Sequence, residues 1–161
     1  MNRRERLVLQ MEALSWGDPW HGPSVASLLA KVDAATAGRR PLPTAHSIWE
    51  IVLHMNAWAR EARRRLDGAP LGAPREGDWP EVGATDPDAW SRCVADYREA
   101  RGELCMAVRN LSEAALDSTV GVQREPSLGT GVSVGEMLQG VALHDAYHSG
   151  QMALLLKAPE S

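Results

Sequence analysis

Apolar residues recur at helical spacing in four long stretches of this chain. In the first, from Arg4 to Trp16, Leu7, Val8, Met11 and Leu14 share one side. The second runs from Ser47 to Asp67, with Ile48, Ile51, Val52, Met55, Ala59 and Ala62 as its stripe. The third begins at Asp86-Pro87, a strong helix start, and carries Trp90, Cys93, Val94, Tyr97, Leu104, Val108 and Leu111. The last lies within Gly131–Lys157 and presents Val134, Met137, Leu138, Val141, Met152, Leu155 and Leu156. These periods predict amphipathic helices, each burying its stripe against the others.

Punctuation between the stripes supports this reading. Gly17-Asp-Pro-Trp20 breaks the first helix, and Gly22-Pro23-Ser24 predicts a fresh, short helix through Lys31 with proline at its first position. Gly38–Pro43 is a connector. Thr44 and Ser47 are both candidate caps for the second long helix, and Glu50 offers Ser47 a capping-box partner; Ser133 and Glu136 repeat that spacing before the last. Gly68–Thr85 holds glycines and prolines without an apolar period and predicts a long loop. Ser112–Gly131 is expected to be irregular, with Val120–Gln123 a short extended piece lacking a convincing partner, and Lys157-Ala-Pro159 closes the last helix. With no internal repeat, the natural architecture is all-α, a bundle formed by one domain over residues 1–161.

Charge and composition exclude more than they assign. The formal net charge is −4, which gives no basic footprint for nucleic acid, and no stretch is apolar for long enough to span a membrane. The basic run Arg60–Arg65 falls on a predicted helix and reads as a solvated face, and the N-terminus lacks the apolar run of a signal peptide, so a cytoplasmic protein is expected. Cys93 and Cys105 lie on one predicted helix, roughly 18 Å apart by helical rise, too far for a disulfide. Both read as core residues.

The candidate chemistry sits in His144-Asp-Ala-Tyr-His148-Ser-Gly-Gln151. Residues four apart are neighbours on a helix surface. His148 falls within the apolar stripe and His144 at its edge, so both rings need polar partners inside the protein. A divalent metal is one such partner; ordinary hydrogen bonds in the core are the other. His54, on the edge of the second stripe, is the candidate third ligand if the two helices pack together. Three neutral nitrogens would leave a zinc- or nickel-like ion with open positions. The residue after His144 is Asp145 rather than the glutamate of a zincin, so peptidase chemistry has no support. Glu50, one turn before His54, is a candidate proton acceptor whose simpler role is capping; Gln151 is a candidate to orient a metal water or bond a ligand histidine. His21 and His46 read as surface or capping residues, and Trp49 and Trp58 as core packing. Two charges do not fit the stripes: Arg101 and Asp145 fall near the centres of the third and fourth. Antiparallel packing of those helices brings them to similar heights and predicts a buried ion pair, with snorkelling of Arg101 or a bond from Asp145 to a ligand histidine as competing arrangements.

Ser47-Ile-Trp-Glu-Ile-Val-Leu-His54-Met-Asn-Ala-Trp58, Gly77-Asp-Trp-Pro80 and His144–Gln151 together resemble the DinB-like family, also called DinB/YfiT-like metalloenzymes, over nearly the whole chain. The resemblance implies a four-helix bundle, up-down-down-up with a long crossover, here with a short extra N-terminal helix. It also implies a homodimer and a divalent metal, nickel or zinc, held by His54, His144 and His148. The reaction it implies is thiol-dependent transfer, a small-molecule thiol attacking a small electrophile in detoxification. A non-catalytic, stress-associated metal-binding dimer is the alternative. Neither nucleic acid nor membrane is an expected partner.

Overall fold

A computed structural model describes residues 1–159. Its described residues form six α-helices and one two-stranded antiparallel sheet. The helices are α1 (Arg3–Trp16), α2 (Val25–Leu29), α3 (Ala34–Gly38), α4 (Ile48–Leu66), α5 (Pro87–Arg109) and α6 (Val134–Leu155); the strands are β1 (Thr119–Glu125) and β2 (Thr130–Ser133).

The caps explain where the long helices begin. Asn2, Ser47 and Ser133 each close a capping box, with Glu5, Glu50 and Glu136 respectively, and Asp86 accepts from the backbone N–H of Ala89. Each supplies partners for the otherwise orphaned amides of a helix's first turn. Of the two candidate caps before α4, Ser47 is the one used. Before α2 the expectation shifts by two residues: the helix begins at Val25 with Ser24 as its cap, Pro23 lies outside, and the helix stops at Leu29 rather than Lys31. The chain turns there because Asp33 caps a further short helix, α3, accepting from the Thr36 amide.

The four long helices pack in two layers of partners: α4 against α5 and α6, and α1 against the same two. Directions follow from matched residues. Asn56 reaches the Cys93 carbonyl and Arg60 pairs with Asp96 at 2.9 Å, so α4 and α5 run parallel. Only a long connection can join parallel neighbours, and residues 68–85 supply it as the expected loop. Two apolar clusters fill the interior. One joins α2 and α3 to Val52, Met55, Tyr97 and Met152; the other joins Val8 and Met11 of α1 to Ala59, Ala100, Leu104 and Leu138.

Arg101 and Asp145 lie in sequence where those clusters meet, and both are buried, at 1% and 2% exposure. The guanidinium is bidentate on the carboxylate, Nε to Oδ2 at 2.5 Å and Nη2 to Oδ1 at 2.8 Å. Nη2 also donates to the Met55 carbonyl of α4 at 3.0 Å, and Cζ stands 4.8 Å from the Tyr97 ring centroid. Burial alone would raise the Asp145 carboxyl, but the adjacent guanidinium overcomes this and holds it below the usual carboxylate range. The misfit of the two stripes is therefore one salt bridge tying α5 to α6 and, through Met55, to α4. Arg101 does not snorkel.

Three expectations change. Val120–Gln123 does have a partner: Thr119 pairs with Ser133 and Val120 with Val132 in a hairpin whose tip is a 3-10 turn, Pro126–Leu128. Gly131 makes the return possible, since its φ is +69° and a Cβ there would lie 2.5 Å from Arg124 Cα. Arg60–Arg65 is only in part a solvated face: Arg60, Arg63 and Arg64 are partly exposed, but Arg65 has a side chain only 3% exposed, bonds the buried Glu61 at 2.9 Å, and donates to the carbonyls of Leu128 and Gly72. It thus pins the hairpin tip and the long loop to α4. Trp58 is half-buried at a cleft instead of lying in the core, whereas Trp49 is buried as expected. Burial pushes the thiols of Cys93 and Cys105 up to about 12 and about 11, so neither supplies a thiolate near neutral pH. Among the described residues no helix is long and apolar enough to cross a membrane.

Candidate metal centre

α4 and α6 bring His54, His144 and His148 together. One nitrogen from each lies within 4.8 Å of the other two, and the Nε2 atoms of His54 and His144 are 2.8 Å apart. The helical spacing of His144 and His148 puts both rings on the side of α6 that meets α4, with ring centroids 4.5 Å apart. His54 and His148 are buried, at 6% and 4% exposure, whereas the His144 side chain is 29% exposed.

Two of the rings are fixed from behind. His54 Nδ1 donates to the Asp78 carbonyl at 2.5 Å, and His148 Nδ1 donates to Gln151 Oε1 at 2.6 Å. With those protons on Nδ1, both Nε2 atoms carry lone pairs. His144 Nδ1 lies 3.6 Å from Asp145 Oδ1, next to the buried ion pair. Burial pushes the His148 imidazole down to about 4, aided by nearby His144 and opposed by Gln151. Burial also lowers that of His54, with the Asp78 carbonyl opposing. Both rings are therefore neutral at neutral pH, the form that binds a metal. Three imidazoles converging in a largely desolvated site, with the Nδ1 protons of His54 and His148 taken by oxygen acceptors, form a donor set that fits a divalent cation.

The long loop closes one side. Trp79 lies between two imidazoles, its ring 3.9 Å from that of His54 and 3.5 Å from that of His46, nearly parallel to both. Asp78 adds a carboxylate that accepts from Trp58 Nε1 at 2.7 Å. His46 is exposed, as expected, whereas the role of Trp79 as a wall was signalled in the sequence only by the Gly77-Asp-Trp-Pro80 motif. Gln151 bonds a candidate ligand histidine, one of its two expected roles. Glu50 caps α4: its carboxylate accepts from the Ser47 amide at 2.7 Å and from Arg40, and lies 3.8 Å from His46. These Ser47 bonds, with Arg40, outweigh burial and keep it below the usual carboxylate range.

A cleft of about 370 Å³ reaches His144 between α4, α6 and the hairpin tip. Its walls are largely apolar, with Trp58, Met137, Val141 and Leu128 among them, and Arg65 and Arg124 contribute the cations. The more exposed histidine of the three is thus the one facing open space.

No curated protein and no solved structure matches the chain significantly. Residues 21–152 match the DinB superfamily, a span that takes in all three histidines, the Trp79 loop and the Arg101–Asp145 pair, and the chain belongs to that family.

Proposed function

We propose that His54, His144 and His148 hold a divalent metal ion, nickel or zinc, and that the protein is a metal-dependent enzyme joining a small thiol to a small electrophile. The observation that carries this reading is the convergence of three imidazoles beside a cleft that ends at His144. On this reading α1, α4, α5 and α6 form the up-down-down-up bundle that holds the site.

Within it, the Asp78 carbonyl and Gln151 Oε1 set the tautomers of His54 and His148, so the ligand lone pairs need no rearrangement on loading. Trp79 covers the ring of His54 and keeps water from that side. The largely apolar cleft beside His144 is where the reactants meet. An ion held by His54, His144 and His148 would supply acidification of a thiol; the thiol would lose its proton to solvent and its sulfur would bond to an electrophilic carbon as the leaving group departs with the bonding electron pair.

The test is a panel of low-molecular-weight thiols against alkylating electrophiles, with nickel- and zinc-loaded protein. We expect thiol consumption above the uncatalysed rate for at least one pair, lost in His148→Ala. Full metal loading with no turnover anywhere in the panel would favour the metal-binding module without catalysis.

A further inference from the structure

We infer that Gly140 determines what enters the cleft, and that the cleft takes a ligand with a metal-binding head and an apolar body the size of an aryl ring. The inference rests on the metal reading and goes beyond it in naming the ligand class and the residue that selects it.

Gly140 stands one turn before His144, so the two share a face of α6, and it lines the cleft. A Cβ built there meets nothing within 4 Å. Its φ is not positive, so its backbone requires no glycine. Glycine inside a helix is less stable than alanine, and neither packing nor conformation explains it here. Gly135 on the same helix differs, because a Cβ there would lie 3.3 Å from the Leu116 carbonyl oxygen. Gly102 and Gly150 are also open, but of the three only Gly140 lines the cleft that ends at His144. What its missing side chain leaves is room beside the most exposed histidine.

The wall chemistry gives the ligand class. Trp58, Met137 and Val141 surround that room with apolar surface. Of the two cations, the buried Arg65 is bound to Glu61 and two carbonyls, while Arg124 is exposed at the rim, where it donates to the Thr130 carbonyl. The buried cation is already paired, so the inner wall offers a ligand's body apolar surface. A volume of about 370 Å³ falls near the lower end of small-molecule sites, about 300–1,000 Å³.

Cobalt(II)-loaded protein, titrated with imidazole or 4-phenylimidazole and followed by its visible absorption, tests this. In the wild-type chain 4-phenylimidazole should bind at least about tenfold more tightly, from the apolar area its ring buries. Gly140→Leu should erase the preference, bringing the two within about twofold, by occupying the ring's space. Gly140→Ala should reduce the preference in part and melt no lower than wild type, which separates exclusion from misfolding. A preference unchanged in Gly140→Leu, with cobalt and imidazole still bound, would overturn this inference alone. Failure of the wild-type chain to take up cobalt would overturn the metal reading and this inference with it.

Discussion

Arg101→Met alone is expected to destabilise the protein by about 3–5 kcal/mol, and Asp145→Leu alone by a similar amount. Either change leaves a charge in a site that is 1% to 2% exposed, with no water to replace the lost partner. The double variant Arg101→Met, Asp145→Leu should recover most of the loss, because two apolar side chains of similar bulk carry no desolvation cost. Chemical denaturation of the four proteins gives the coupling energy directly. Additive losses with no coupling would mean that the bidentate contact does not govern stability here. The Met55 carbonyl makes the outcome sharper: Arg101→Met also frees this acceptor, so recovery should be incomplete by about 1 kcal/mol.

Chelation is expected to leave the helices intact at room temperature while lowering the melting temperature. Two apolar clusters joining four long helices provide the core without help from an ion, unlike a zinc finger, which has none to spare. Metal that binds only the folded state adds about 2.7 kcal/mol at a hundredfold excess over Kd. Far-ultraviolet circular dichroism of the metal-free protein should therefore keep its helical signal, and its melting temperature should rise with added nickel or zinc. Loss of helical signal on chelation would instead make the ion a structural requirement.

These two expectations differ in how openly the sequence announces them. The stripes on α4, α5 and α6, and the Ser47–Glu50 and Ser133–Glu136 boxes, are local patterns, and the structure follows them closely. Arg101 and Asp145 were legible for the opposite reason: each breaks its own stripe, and a buried charge requires a partner. The histidine pair was legible because four-residue spacing fixes two rings on one face. What stayed hidden depends on contacts distant in sequence. The β1–β2 hairpin is mostly exposed on β1 and so lacks an apolar alternation. The five residues of α3 are too few to show a period. Arg65 looked like one of several surface arginines, yet it alone reaches Glu61, Leu128 and Gly72 at once. Trp79 sits in a loop without periodicity, and only the fold sets it between His46 and His54.

Metal-free wild-type protein titrated with zinc or nickel, with bound metal measured by elemental analysis after desalting, should take up one ion per chain. The His144→Ala, His148→Ala double variant, folded by circular dichroism, should take up none. Stoichiometric metal in that variant, or none in the wild-type protein, would contradict the three-histidine site.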